Sequence, residues 1–199
     1  PIWGWGRPEW IYQIADATEE LRTIYAKNRI PVWTILACSA RPRWHSGRVD
    51  YDYEVRAQVW MAIVHGATGI GYFPHVWNPY SPCEISEPVQ AEMKRTNRQI
   101  KELAPAILSS SSYREVVDQE LDGGRVDILA KEYGGKLYIF AVNIERKRER
   151  VKFTVEGLSD NVPIKVYDEN RVIKSHGTTF EDVFNPLEVH IYVIDMSEA

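Results

Sequence analysis

Cysteine is scarce in this chain: Cys38 and Cys83 are the only two among 199 residues. Two cysteines define no redox compartment, and neither has a second cysteine or a histidine at metal-ligand spacing, so neither a metal nor a cofactor is expected. Long hydrophobic runs are missing as well. No apolar stretch approaches the roughly 18 residues of a membrane span, and no charged-then-apolar leader opens the chain. The expectation is a soluble protein without a membrane partner, compatible with secretion or the periplasm. The opening "PIWGWG" looks like the middle of a protein, so a leader could still have been lost. Basic density is also low. The net charge of -4 is spread along the sequence, and the one dense basic run, "ERKRER" at 145–150, lies between two strand-like stretches. A solvated hairpin turn explains that run, and no nucleic-acid partner is expected. No internal repeat or low-complexity segment occurs beyond the serines at 109–112.

Tryptophan is abundant by contrast, with seven residues, of which Trp3, Trp5, Trp10, Trp33, Trp44 and Trp77 fall in the first 80 positions outside the central helix. Aromatic faces near strand ends suit flat, hydroxylated rings, since they stack on the C–H face of a sugar; core filling is an equal alternative. The hydrophobic period divides the chain in two. Over residues 1–108 helix and strand alternate. "EWIYQIADATEELRTIYAKN" places Ile14, Leu21, Ile24 and Tyr25 on one helical face, and Pro31 stops it. "VWTIL" is nearly all apolar, as for a parallel strand covered on both faces. "DYEVRAQVWMAIVHGA" predicts a helix capped by Asp52, buried along Val55, Val59, Ala62 and Ile63 and ended by Gly66. The neighbouring acids Asp50 and Glu54 are expected to favour the same helix N-terminus. "GIGYF" predicts a second buried strand, and a third helix opens near Ser86 and Pro88 and closes at Pro105. This alternation predicts a parallel sheet. Over 109–199 the period becomes two, with "DGG" and "YGG" as turns. Val151, Phe153 and Val155 face one way and Lys152 and Thr154 the other, which predicts an antiparallel β-sandwich of six to eight strands.

Read together, "PVWTILACS", "YEVRAQVWMAIVHGATGIGYFPHVWNP" and "NRQIKELAPAILSS" resemble the last βα units of the (β/α)8 catalytic barrel of two-glutamate glycoside hydrolases. The later segments "KLYIFAVNIERKRERVKFTVEG", "VYDENRVI" and "TTFEDVFNPLEVHIYVI" resemble the β-sandwich that closes such enzymes. The resemblance implies a fold of mixed class: α/β plus all-β, the end of a barrel (strands 6 to 8) followed by a sandwich. On this resemblance "PIWGWG" ends the sixth strand, "VWTIL" is the seventh and "GIGYF" the eighth. Five strands and one catalytic carboxylate would then come from an N-terminal half of the barrel, in the same or another chain.

The same resemblance implies a retaining glycosidase acting on a carbohydrate substrate, with its nucleophilic glutamate at the C-terminal end of the seventh strand. The pattern there is apolar-Glu-Cys-Thr/Ser, and this sequence has Leu36, Ala37, Cys38 and Ser39. Ala37 therefore stands where the nucleophile is expected, through replacement, loss of double displacement, or a register shifted by a few positions. The competing reading is a non-catalytic carbohydrate-binding protein with a degenerate barrel. Trp33, Tyr72, His75, Trp77 and Glu84 are the candidate substrate contacts. Arg56 is expected in a buried ion pair, His65 at a helix end capping carbonyls, and His190 on the polar side of its strand. Cys38 is a small apolar filler, with a bond to Cys83 open because both would lie at one barrel face.

Overall fold

A computed structural model describes residues 11–38, 52–77 and 80–197, with the backbone alone at Val76 and Trp77. The expectations for "PIWGWG", for Trp3, Trp5, Trp10 and Trp44, for Ser39 and for Asp50 lie outside these residues. The chain divides into two compact units between Gln99 and Ile100.

In the first unit, helix α1 (Gln13–Glu20) runs into a π-helical turn over Leu21–Tyr25. The Ala26 amide reaches back five residues to the Leu21 carbonyl, and the Thr23 hydroxyl takes up the Glu19 carbonyl. Lys27 and Asn28 then turn the chain through left-handed backbone (φ 49° and 56°). Strand β1 (Trp33–Ala37) pairs in parallel with β2 (Gly69–Phe73), in the register Trp33 to Gly69 through Ala37 to Phe73. Helix α2 (Asp52–Val64) connects them and ends at Gly66, whose φ of 88° suits glycine. This strand–helix–strand unit is the one the alternating period predicts. A two-residue ladder follows at once, β3 (Val76–Trp77) against β4 (Tyr80–Ser81), and then α3 (Glu87–Ile107).

Several local expectations are corrected. Helix α3 runs two residues past Pro105, because a proline in the last turn forfeits only one bond while the Leu108 amide still reaches Ala104. Helix α2 buries eleven consecutive residues from Glu54 to Val64, not one stripe, and Glu54 is among them. Strand β1 is covered on one face only. Leu36 and Cys38 are buried, whereas Trp33 and Ile35 on the alternate face are 72% and 48% exposed. On the α1 side, Ile14 is buried but Leu21, Ile24 and Tyr25 are exposed.

The second unit holds eight strands in two antiparallel sheets. They are β5 (Val116–Glu120), β6 (Val126–Tyr133), β7 (Lys136–Asn143), β8 (Glu149–Val155), β9 (Pro163–Val166), β10 (Arg171–Lys174), β11 (Thr179–Phe184) and β12 (Val189–Asp195). One sheet has the order β10-β9-β12-β7-β6 and the other β11-β8-β5. Alternation along β8 buries Val151, Phe153 and Val155, as the period of two predicts. Phe153 stacks on Phe180 with ring centroids 4.7 Å apart, and Tyr192, Ile139 and Ile164 complete the core. The β6–β7 hairpin turns at Gly134 and Gly135, both with positive φ, the two-residue turn that matches strand twist. "ERKRER" is not a hairpin: β7 and β8 belong to different sheets, so the run carries the chain across the sandwich, and its fifth residue, Glu149, is fully buried.

Candidate functional site

The C-terminal end of β1 is where the sequence places the chemistry, and its geometry is set by backbone pairing. Ala37 sits opposite Phe73, and the Cys38 amide donates to the Phe73 carbonyl at 3.4 Å. The Ala37 carbonyl accepts from Nε2 of Gln58 at 3.2 Å, a buried α2 side chain reaching back to the strand end. The Ala37 methyl is exposed, on the same side of the strand as Trp33 and Ile35. His75 follows β2 directly, with its ring 4.9 Å from that of Phe73 and 6.2 Å from that of Tyr80. The Glu84 amide donates to the Pro74 carbonyl at 3.1 Å, which ties this half-buried carboxylate residue to the same strand end. The fold thus gathers Ala37, Phe73, His75, Tyr80 and the Glu84 backbone at one end of the parallel pair. Chemically this end offers the His75 imidazole and the Tyr80 phenol near Phe73, the strand partner of Ala37. Residue 37 itself has no nucleophile.

Two candidates point elsewhere. Tyr72 faces away from that side: it packs with Cys38, Val55 and Val89, and its hydroxyl donates to Oδ1 of Asn97 at 2.8 Å. Burial, reinforced by Cys38, pushes its phenol up to about 12, against the opposing effect of the Asn97 hydrogen bond. Trp33 opens β1, four residues from Ala37 and so about 13 Å along the strand. Its ring lies across Gly69, where an added Cβ would come within 2.6 Å of it. For Trp77 the pairing with Tyr80 is defined, and its side chain lies outside the described part. No disulfide joins Cys38, which is buried, to exposed Cys83. Arg56 is buried in α2 and meets Glu92 of α3 at 3.9 Å, as the expected ion pair. The Nδ1 of His65 lies 3.4 Å from Glu19 of α1.

The residues that sequence reading missed are partners from distant segments. Gln58 gave one signal, an amide immediately before the apolar run Val59–Val64 of the helix, whereas Asn97 gave none. The largest omission is in the sandwich. His190 is buried, not on a polar face, and its Nδ1 meets Glu169 at 2.6 Å while its Nε2 faces the Val183 carbonyl at 3.3 Å and Glu188 at 3.4 Å. Arg171 forks onto Asp182 at 3.1 and 2.6 Å and reaches Glu169 at 2.9 Å, while the Tyr192 hydroxyl donates to Asp182 at 2.8 Å. Arg171 lies on β10 and Asp182 on β11, so the cluster ties the two sheets together. Among the described residues no group of three or more His, Cys, Asp or Glu side chains is placed to hold a metal ion, and no helix is long and apolar enough to cross a membrane.

No family model and no curated protein matches the chain. Solved structures do. The α-amylase of Geobacillus thermoleovorans, solved with acarbose, aligns at TM-score 0.62 and 13% identity over 92% of this chain and 46% of its own. An Anoxybacillus α-amylase aligns at 0.59 and 12% over 93% and 46%. A noncanonic maltogenic α-amylase from Thermotoga neapolitana aligns at 0.52 and 10% over 93% and 46%. These structural neighbours are glycoside hydrolases, and the likeness, at such identities, is one of fold. The chain spans 46% of the length of each.

Proposed function

We propose that this chain is the end of a (β/α)8 catalytic barrel with its closing β-sandwich, and that the complete protein is a retaining glycosidase acting on a carbohydrate. The single observation that carries the reading is the parallel β1–β2 pair joined through α2, with His75 and Glu84 following its C-terminal end, where barrel enzymes hold their chemistry. The uncovered face of β1 supports an N-terminal half of the barrel as partner, since Trp33 and Ile35 are exposed on strands that barrel closure would enclose. Position 37 is the place of the nucleophilic glutamate, His75 and Glu84 are substrate contacts, and the acid/base lies in the other half. The exposed Ala37 methyl specifically favours a second reading, a carbohydrate-binding protein that has kept the cleft and lost the nucleophile.

The discriminating experiment restores a carboxylate. Ala37→Glu, assayed together with the upstream half on an activated aryl glycoside, is expected to raise hydrolysis on the order of a thousandfold or more, because covalent catalysis fails without its nucleophile. Azide or formate is expected to recover part of the rate with alanine in place. Inactivity of both across a panel of aryl glycosides, with sugar binding retained, would replace the enzyme reading by the binding one. Loss of binding and turnover together would move the search for the carboxylate to Glu84.

A further inference from the structure

The outer face of the five-stranded sheet and the last turns of α3, all within the second unit, border an open groove of about 510 Å³. Register fixes its floor: Tyr138 of β7 stands opposite Val193 of β12, Val193 opposite Lys165 of β9, and Lys165 opposite Val172 of β10. Glu102 of α3 forms one wall and accepts a hydrogen bond from the Tyr167 hydroxyl, which fastens the β9–β10 turn to the helix. That turn carries two non-glycine residues in left-handed backbone, Asp168 at φ 63° and Asn170 at 52°, and both line the groove. Conformations of this kind persist where the surroundings enforce them and recur at ligand clamps. The groove shares no residue with the candidate site at β1 and β2.

We propose that this groove binds a short neutral saccharide. The Tyr138 ring and Val193 give an apolar floor for the C–H face of a pyranose. The rim offers both hydrogen-bonding signs: Lys165 donates, Glu102 and Asp168 accept, and the Asn170 amide does both. A hydroxyl group donates and accepts at once, so a ring bearing several of them matches a mixed rim. A polyanion would meet Glu102 and Asp168, and a cation would meet Lys136, Lys165 and Arg171. The saccharide class rests on the glycosidase reading above; the groove itself does not.

The test is calorimetric titration of the full chain with maltotriose, with a uronic-acid disaccharide in parallel. Saturable maltotriose binding is expected, weakened about tenfold by Tyr138→Ala, which removes the aromatic platform. Asn170→Gly keeps the turn, since glycine adopts positive φ freely, and is expected to weaken binding severalfold through the lost amide. Circular dichroism verifies that both variants fold, and if Tyr138→Ala does not, Asn170→Gly carries the decision. Glu181→Gln, an exposed residue on β11 of the other sheet and outside the groove, is expected to leave this binding unchanged. No maltotriose binding, binding indifferent to the groove variants, or tighter binding of the uronic-acid disaccharide that falls with Lys165→Gln would each overturn the proposal. An inactive Ala37→Glu enzyme would leave it standing, so the two readings fail separately.

Discussion

Raising the pH from 6 to 9.5 should destabilise the sandwich, and His190 sets the size of the effect. Burial alone would lower its pKa, but the hydrogen bonds to Glu169 and Glu188 and the fields of Glu169 and Asp182 outweigh burial and raise it to about 9. The cluster explains the direction: three carboxylates, Glu169, Asp182 and Glu188, face one guanidinium, Arg171, so a charged imidazole halves the remaining negative charge from two to one. A raised folded-state pKa contributes stability that is complete below the unfolded value near 6.5 and disappears as pH rises through 9. From 6.5 to about 9 the linked free energy is about 3 kcal/mol, and the side chain is 5% exposed, so water screens little of it. For a unit of about 100 residues this corresponds to a fall in Tm on the order of 10–20 °C. Thermal melts followed by far-ultraviolet circular dichroism at half-unit pH steps measure it. His190→Gln is expected to melt lower at pH 6 and to lose most of the alkaline slope. A wild-type curve flat from pH 6 to 9.5, or a variant keeping the whole slope, would refute the reasoning.

Two further outcomes test the geometry. Arg171→Ala should cost about 1–2 kcal/mol, less than a fully buried pair, because the side chain is 35% exposed. Arg171→Lys should recover less than half of it in urea midpoints, since an ammonium cannot fork onto Asp182 while reaching Glu169, and full recovery by lysine would contradict the bidentate geometry. Gly69→Ala should lower the Tm of the first unit, because its Cβ would press into the Trp33 ring, and Trp33→Ala should suppress the effect. An equal penalty in both backgrounds would show that the ring does not lie there.

Where the period of the sequence coincides with a local covering layer, the elements were legible. β8 alternates because one face meets the Phe153–Phe180 core and the other meets water, and α2 ends where Gly66 supplies the left-handed turn. The parallel pairing of β1 and β2 followed from the intervening helix, since parallel neighbours need a crossover. His190 was not legible. Alternation in β12 assigned it to the wet side, yet Glu169, Asp182 and Glu188 arrive there from segments that sequence spacing does not bring together. Nor did the site separate Tyr72 from His75. Tyr72 lies within β2 and His75 beyond its end, and only the packing seen in the fold reveals that Tyr72 joins Cys38 under the helices.

The two units differ in how fully they satisfy their own apolar residues, and this bears on which part of the chain carries stability. In the second unit, inward-facing positions of both sheets close a continuous core around Phe153, Phe180 and Tyr192. In the first unit, Leu21, Ile24, Tyr25, Ile30, Trp33 and Ile35 are all exposed, although the first three and β1 carry the periodicity of buried faces. Each such side chain is worth about 1.5–3 kcal/mol when withdrawn from water, so these six leave several kcal/mol of burial unrealised. The helical period along Leu21–Tyr25 and the alternation along β1 therefore encode surfaces that these described residues do not cover. That mismatch is what the proposed barrel around β1 and β2 would resolve, and it contrasts with the closed core of the second unit.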